Sequence, residues 1–242
     1  QRSRMQSVPG DDIEITMRLD FNEACFGVAK DISFTRIEKC ATCSGSGAKP
    51  GSSKKRCTKC GGSGTITVNQ RTMFGTMQTT RTCDMCNGAG EIIDVPCSDC
   101  SGKGRVRKAR TIKVNVPAGV DDGQILTMRG EGSASLTNGA NGNLIILFSV
   151  RPHVLFKREG VNLYLDLPIT FLQAVLGAKI DIPTLKSPVT VDIPEGTQSG
   201  TMIRVKGSGV KHLRKDSYGD LFVRVIIDIP RSISHKQKKS NS

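Results

Sequence analysis

Two tyrosines, three histidines and no tryptophan leave this 242-residue chain poor in side chains that stack on bases or transfer protons. His153, His212 and His235 lie far apart, and no nucleophile pattern surrounds any of them. No apolar run approaches the roughly 18 residues of a membrane-spanning helix, and no hydrophobic signal region opens the chain. The sequence therefore predicts no enzyme, no membrane partner and no export signal.

Acidic residues are also in the minority, since 35 Lys and Arg against 22 Asp and Glu leave a formal charge of +13. Two basic runs, Lys54–Arg56 and Arg105–Arg110, could contact phosphates. However, no recognition helix follows a cysteine pair. We interpret the runs as solvated faces or as docking points for an acidic partner, and a basic zinc protein that binds nucleic acid remains an alternative.

Cysteine is abundant, and eight of the nine cysteines lie in four copies of the pattern C-x-x-C-x-G-x-G. The copies are Cys40–Gly47, Cys57–Gly64, Cys83–Gly90 and Cys97–Gly104. Thiolate sulfur suits zinc, and a tetrahedral structural site needs two such pairs, so four pairs predict two zinc ions. Glycine allows the positive φ that a turn around the metal requires. The few apolar residues between the pairs are too scattered for a core, so metal must substitute for it.

The segment between the second and third pairs predicts which pairs share a metal. Thr65–Arg81 is β-branched and alternating with Gly75 near its middle, which is typical of a hairpin whose ends meet. An inner site is therefore predicted from Cys57, Cys60, Cys83 and Cys86. The outer site then consists of Cys40, Cys43, Cys97 and Cys100.

Disulfides and a redox dithiol are the competing interpretations of C-x-x-C, and a thiol-disulfide oxidoreductase is the corresponding alternative function. Thiolates that ligate zinc are not free for exchange, and only Cys25 lies outside the pattern. We expect Cys25 to be a buried free thiol and the chain to work in a reducing compartment.

Apolar alternation predicts strands on both sides of the cysteine region, and the same pattern occurs twice. Ile13–Gly27 corresponds to Leu163–Gly177 at a shift of 150, and Pro117–Leu144 corresponds to Pro194–Leu221 at a shift of 77. The sequence predicts an all-β fold with two homologous sandwich-like modules in tandem and a two-zinc hairpin domain inserted in the first. The predicted domains are 11–39 plus 105–152, 40–104, 153–230 and a C-terminal segment 231–242.

These motifs, together with Val116–Gly119, Ile193–Gln198, Arg151–Arg158 and Tyr218–Leu221, closely resemble the C-terminal part of class A DnaJ co-chaperones of the bacterial and organellar type. The resemblance implies a chaperone that binds unfolded polypeptides in an apolar groove of the first β domain and passes them to a DnaK-type chaperone. It also implies a homodimer formed through the C-terminus and a location in the bacterial cytoplasm or in an organelle matrix or stroma.

Matching motif to motif, the resemblance assigns the groove to Ile13, Ile32, Phe34, Ile112 and Ile146. A position in the core is the competing interpretation for each residue. The second-copy counterparts, Leu163, Ile182, Val189 and Val223, are weaker candidates. The resemblance further implies that the outer metal supports client holding and the inner metal supports transfer.

The sequence departs from the family pattern in two ways. The J domain with its His-Pro-Asp triplet and the Gly/Phe-rich linker are absent, and the dimerisation helix is at best begun by Ile233–Lys239. Since the chain also starts with Gln1, we expect a fragment or processed chain that holds clients without activating the ATPase.

Overall fold

The computed structural model describes residues 8–72, 75–135 and 139–228. The predicted C-terminal dimerisation segment, 231–242, lies outside the described residues. Within them the regular secondary structure consists mostly of strands, with two helices of six residues each. Neither of these helices is long or apolar enough to cross a membrane.

The first copy consists of a strand, a short helix and two long strands that flank the cysteine region. Its elements are β1 (Ile13–Leu19), α1 (Phe21–Phe26), β2 (Val28–Lys39), β7 (Arg105–Val116), β8 (Ile125–Met128) and β9 (Leu144–Val150). Strands β1, β9 and β8 form one sheet in that order, and β2 pairs with β7. The cysteine region emerges between the ends of β2 and β7, which makes it an insertion into the first copy.

The second copy repeats this order without the insertion and adds one short strand at its start. Its elements are β10 (Phe156–Glu159), β11 (Asn162–Thr170), α2 (Phe171–Leu176), β12 (Ala178–Ile182), β13 (Val189–Ile193), β14 (Met202–Val205) and β15 (Leu221–Asp228). Helix α2 lies 150 residues after α1, and β14 lies 77 residues after β8. The predicted duplication and the all-β class are therefore confirmed.

The two helices begin in the same way because each follows a residue that can cap it. The backbone N–H of Asp20 donates to Glu23 at 2.8 Å, and that of Thr170 donates to Gln173 at 2.9 Å. Such reciprocal bonds satisfy donors that a helix start leaves unpaired. Glycine follows each helix with positive φ, 80° at Gly27 and 74° at Gly177, and this conformation ends the helix.

Inside the cysteine region the structure has two small antiparallel ladders. Strand β4 (Thr65–Thr72) pairs with β5 (Gly75–Thr82), so the predicted hairpin is confirmed. Strand β3 (Lys54–Arg56) pairs with β6 (Glu91–Ile93). The two ladders join the chain segments that flank the second and third cysteine pairs, so these two pairs are brought together.

The chain forms two compact units. The described part of the first unit lies within residues 8–13, 33–111 and 128–144, and that of the second within 14–32, 112–127 and 145–228. In the inserted cysteine region of the first unit, the two buried clusters consist of cysteines. The second unit has an aliphatic core, whose buried members include Phe21, Cys25, Phe156, Leu163, Leu165, Ile182, Val191, Val210, Leu221 and Val223. Cys25 is the buried free thiol that was expected, and burial raises its pKa to about 11.

Candidate metal centres

The four C-x-x-C turns share one local geometry. In each turn, the last glycine of the motif lies four residues after the second cysteine. Its backbone N–H donates a hydrogen bond to the sulfur of that cysteine, with N–Sγ distances of 3.2 to 3.3 Å. The acceptor sulfurs are those of Cys43, Cys60, Cys86 and Cys100. An N–H donor stabilises a thiolate more than a thiol. The repeated glycine thus orients a backbone donor at a sulfur as well as allowing positive φ.

The structure brings the eight sulfurs together in two groups of four. Within each group the ligand atoms lie within 4.8 Å of one another, and the groups are Cys40, Cys43, Cys97, Cys100 and Cys57, Cys60, Cys83, Cys86. These are the same sets that the hairpin argument predicts. Seven of the eight cysteines are buried, and Cys60 is half-buried.

Sulfur separations test whether a metal fits. The distance from Cys40 Sγ to Cys97 Sγ is 3.9 Å, and from Cys43 Sγ to Cys100 Sγ it is 3.7 Å. Zn–S bonds of about 2.3 Å in a tetrahedron place sulfurs roughly 3.8 Å apart, whereas a disulfide requires about 2.05 Å. Both groups could therefore hold a metal, and these cross-pair separations are too long for a disulfide bond.

Backbone hydrogen bonds cross each group and fix its two halves. Cys40 N donates to Gly104 O at 2.9 Å and Cys97 N donates to Gly47 O at 2.8 Å. The inner group repeats the arrangement, with Cys57 N bonded to Gly90 O and Cys83 N bonded to Gly64 O, both at 2.9 Å. A metal bound here would therefore join two turns that the backbone already aligns.

Close approach of the two turns gives the glycines a second role that sequence reasoning missed. A Cβ at Gly47 would lie 2.3 Å from the carbonyl oxygen of Gly102, and one at Gly104 would lie 2.3 Å from that of Gly45. Any side chain would push the halves of the site apart. The invariant spacing of the glycines within the four copies was the available signal.

The thiols of each group differ in acidity. Burial opposes ionisation of Cys43, yet the N–H groups of Gly47 and Gly45 and the neighbouring thiols lower its pKa to about 6. Burial raises the pKa of Cys97, in the same group, to about 11. The inner group shows the same contrast, with the pKa of Cys60 near 6 and that of Cys86 near 11. Full ionisation of four adjacent thiols requires a cation to neutralise them.

The predicted client-contact residues differ in accessibility. In the first unit Ile13 is half-buried and Phe34 is 8% exposed; in the second, Ile32 and Ile112 are half-buried and Ile146 is completely buried. The three half-buried residues present apolar surface directly. Burial favours a core position for Phe34 and Ile146 in the free chain.

Three lysines in or beside the basic run Lys54–Arg56 are paired with carboxylates. Lys54 lies 3.4 Å from Glu91, Lys55 pairs with Asp94, and Lys59 lies 2.7 Å from Asp84. Internal pairing reduces the positive field that nucleic-acid binding requires. The basic run at Lys54 is therefore a poor phosphate-binding surface.

Comparison with known proteins gives one consistent result. The family model described as "DnaJ C terminal domain" matches residues 13–230. Chaperone protein DnaJ of Acetivibrio thermocellus is 46% identical over 230 residues, 95% of this chain and 60% of the relative. The proteins of the same name from Listeria monocytogenes (strain HCC23) and Halalkalibacterium halodurans are 49% and 44% identical, again over 95% of this chain and over 61% and 62% of the relatives. The chain thus spans about three fifths of the length of these relatives.

Proposed function

Because the chain belongs to the DnaJ C-terminal domain family, we propose that it binds exposed hydrophobic segments of unfolded polypeptides and prevents their aggregation. It has no catalytic activity of its own. The observation that carries the proposal is the pair of four-cysteine groups in an arm inserted into the first of two related β copies. Bound clients then pass to a DnaK-type chaperone.

The metals in this proposal are two zinc ions, one in each four-cysteine group. Each group offers four sulfurs at tetrahedral spacing with N–H donors aimed at them, which suits a closed structural site. Zinc would supply a crosslink in place of an apolar core. The outer site then supports client holding and the inner site supports transfer. The thiols need a reducing compartment, either the bacterial cytoplasm or an organelle matrix.

Clients contact Ile13, Ile32 and Ile112. Phe34 and Ile146 are buried in the free chain and become accessible to a client only if the strands shift. Half-buried apolar side chains on strands can receive alternate side chains of an extended peptide. As part of the same proposal, the protein acts as a homodimer through its C-terminus.

The test compares a residue of the first copy with its counterpart in the second. Ile112 and Val189 are related by the shift of 77, lie on corresponding strands and are both half-buried. We expect Ile112→Ser to weaken binding of a reduced, unfolded client about five- to tenfold, since part of an aliphatic side chain no longer contacts the client. Val189→Ser should leave client binding unchanged.

Light scattering of an aggregating client reports holding, and zinc content with circular dichroism reports folding. If both variants lose client binding equally and keep a normal zinc content, then Ile112 is not part of the client site. The proposal as a whole would be contradicted if Ile112→Ser and a second variant, Ile32→Ser, both still suppressed client aggregation fully.

A further inference from the structure

A cavity of about 390 Å³ opens in the first unit, beside the outer cysteine group. We call it the root cavity, and its lining residues are Ile37, Lys103, Arg105, Val106 and Arg107. Val106 also packs against the cluster of Cys40, Cys43, Cys97 and Cys100. One wall of the cavity therefore packs directly against the outer cysteine group.

The root cavity combines an apolar floor with a cationic rim. Ile37 and Val106 are half-buried and form the floor, while Lys103 and Arg107 are exposed. Arg105 donates from Nε to the carbonyl oxygen of Ser135 at 3.0 Å, which fixes its guanidinium at the edge. Among the residues that the structure describes, no carboxylate lines the cavity.

Several basic side chains of the first unit are already engaged in ion pairs. Arg36 and Arg110 pair with Glu38, and Lys54, Lys55 and Lys59 each have an acidic partner. Within the described part of the chain, Lys103 and Arg107 make no ion pair. Their charge is therefore available to a ligand, and the apolar floor beside these two side chains can bind an aliphatic group.

We propose that the root cavity binds an acidic segment of a partner protein, with an aliphatic side chain on the floor of Ile37 and Val106 and carboxylates beside Lys103 and Arg107. The site is separate from the client-contact residues and does not depend on their role. A nucleic acid would use the rim alone, because a phosphate chain has no aliphatic group for the floor. Charge pairs at an exposed rim add specificity and steer association.

The test uses the zinc-loaded chain and a fluorescent peptide with one leucine between two aspartates and two glutamates, followed by anisotropy. The double variant Lys103→Gln/Arg107→Gln should weaken binding about 2- to 30-fold, the range for two lost exposed ion pairs. Lys108→Gln/Lys113→Gln is the matched control. It removes the same charge from exposed positions of β7 outside the cavity, and it should change affinity less than about twofold.

The floor is tested with Ile37→Thr, which keeps the β-branched shape. Binding of the leucine peptide should weaken about fivefold, and binding of a peptide with serine in place of leucine should not change. Equal losses in the two double variants would show that net charge alone attracts the peptide. The proposal would also be overturned if Ile37→Thr did not change the affinity for the leucine peptide. The same conclusion would follow if a DNA oligonucleotide of matched charge displaced the peptide as well as an unlabelled peptide does. Zinc content confirms that each variant is folded.

Discussion

At the scale of single residues, Glu38 shows how the base of the cysteine arm is held. Its carboxylate accepts hydrogen bonds from Arg110 Nε at 2.5 Å and from Arg36 Nε at 2.9 Å, and its side chain is only 17% exposed. Arg36 also contacts Glu131 at 2.6 Å. The guanidinium groups of Arg110 and Arg36 lower the pKa of Glu38 from 4.5 to about 2.

The depressed pKa predicts how stability depends on pH. The ionised carboxylate contributes fully above its unfolded pKa of 4.5, and that contribution is lost as pH falls toward 2. We expect Glu38→Gln to lower the free energy of unfolding by about 1 to 2 kcal/mol at neutral pH. The difference from wild type should narrow between about pH 5 and pH 3.

Urea unfolding of both proteins at several pH values measures this difference, and metal release in acid affects both chains alike. Asp216→Asn is the control, because its carboxylate is 92% exposed and pairs with Lys211 at the surface. It should have no measurable effect. A penalty for Glu38→Gln that stays constant down to pH 3 would contradict the electrostatic explanation.

Alternation along β2 places Ile32 and Phe34 on one side of the strand, and Arg36 and Glu38 continue that row. It could not predict that Arg110 of β7 and Glu131 of a glycine-rich loop meet this row. Such encounters depend on strand pairing and loop conformation, for which a single sequence carries no periodic signal.

At the scale of elements, the hairpin of β4 and β5 accounts for the nesting of the two metal centres. Its ladder runs from the pair Thr65 and Thr82 to the pair Thr72 and Gly75, so its open end lies beside the inner cysteines. This arrangement could be predicted because alternation and a central glycine are local features. The crossing backbone bonds and the contact between opposing glycines could not, since they arise only when two turns meet.

The nested arrangement predicts that the two metals bind separately. We expect Cys57→Ser to lower zinc from two ions to one per chain, because the inner group loses one of four ligands while the outer group keeps all of its own. Zinc released by a thiol-blocking reagent and measured colorimetrically gives the stoichiometry. Cys25→Ser, which alters the thiol in the aliphatic core, should retain two ions. Loss of both ions in Cys57→Ser would show that the centres fold as one unit.

At the scale of the whole molecule, the duplication is the feature that the sequence predicted best. Fixed shifts of 150 and 77 place α1 on α2, β8 on β14 and β9 on β15. What the shifts could not predict is the packing between parts of the two copies inside the second unit. A Cβ at Gly119 would lie 2.1 Å from the carbonyl oxygen of Lys211, so the turn after β7 lies directly against the second copy.

Arg158 of β10 holds this turn of the first copy. Its guanidinium donates to the carbonyl oxygens of Gly119 at 2.8 Å and Val120 at 2.6 Å, and its side chain is only 9% exposed. Because buried carbonyls without donors are costly, Arg158→Gln should lower stability by about 2 kcal/mol and Tm by about 4 to 8 °C in calorimetry. Arg204→Gln, at an ion pair whose arginine is 56% exposed, should leave Tm unchanged. If both variants melt like wild type, then Arg158 does not stabilise the contact between the two copies. The close packing at Gly119 would then be sufficient to hold the turn against the second copy.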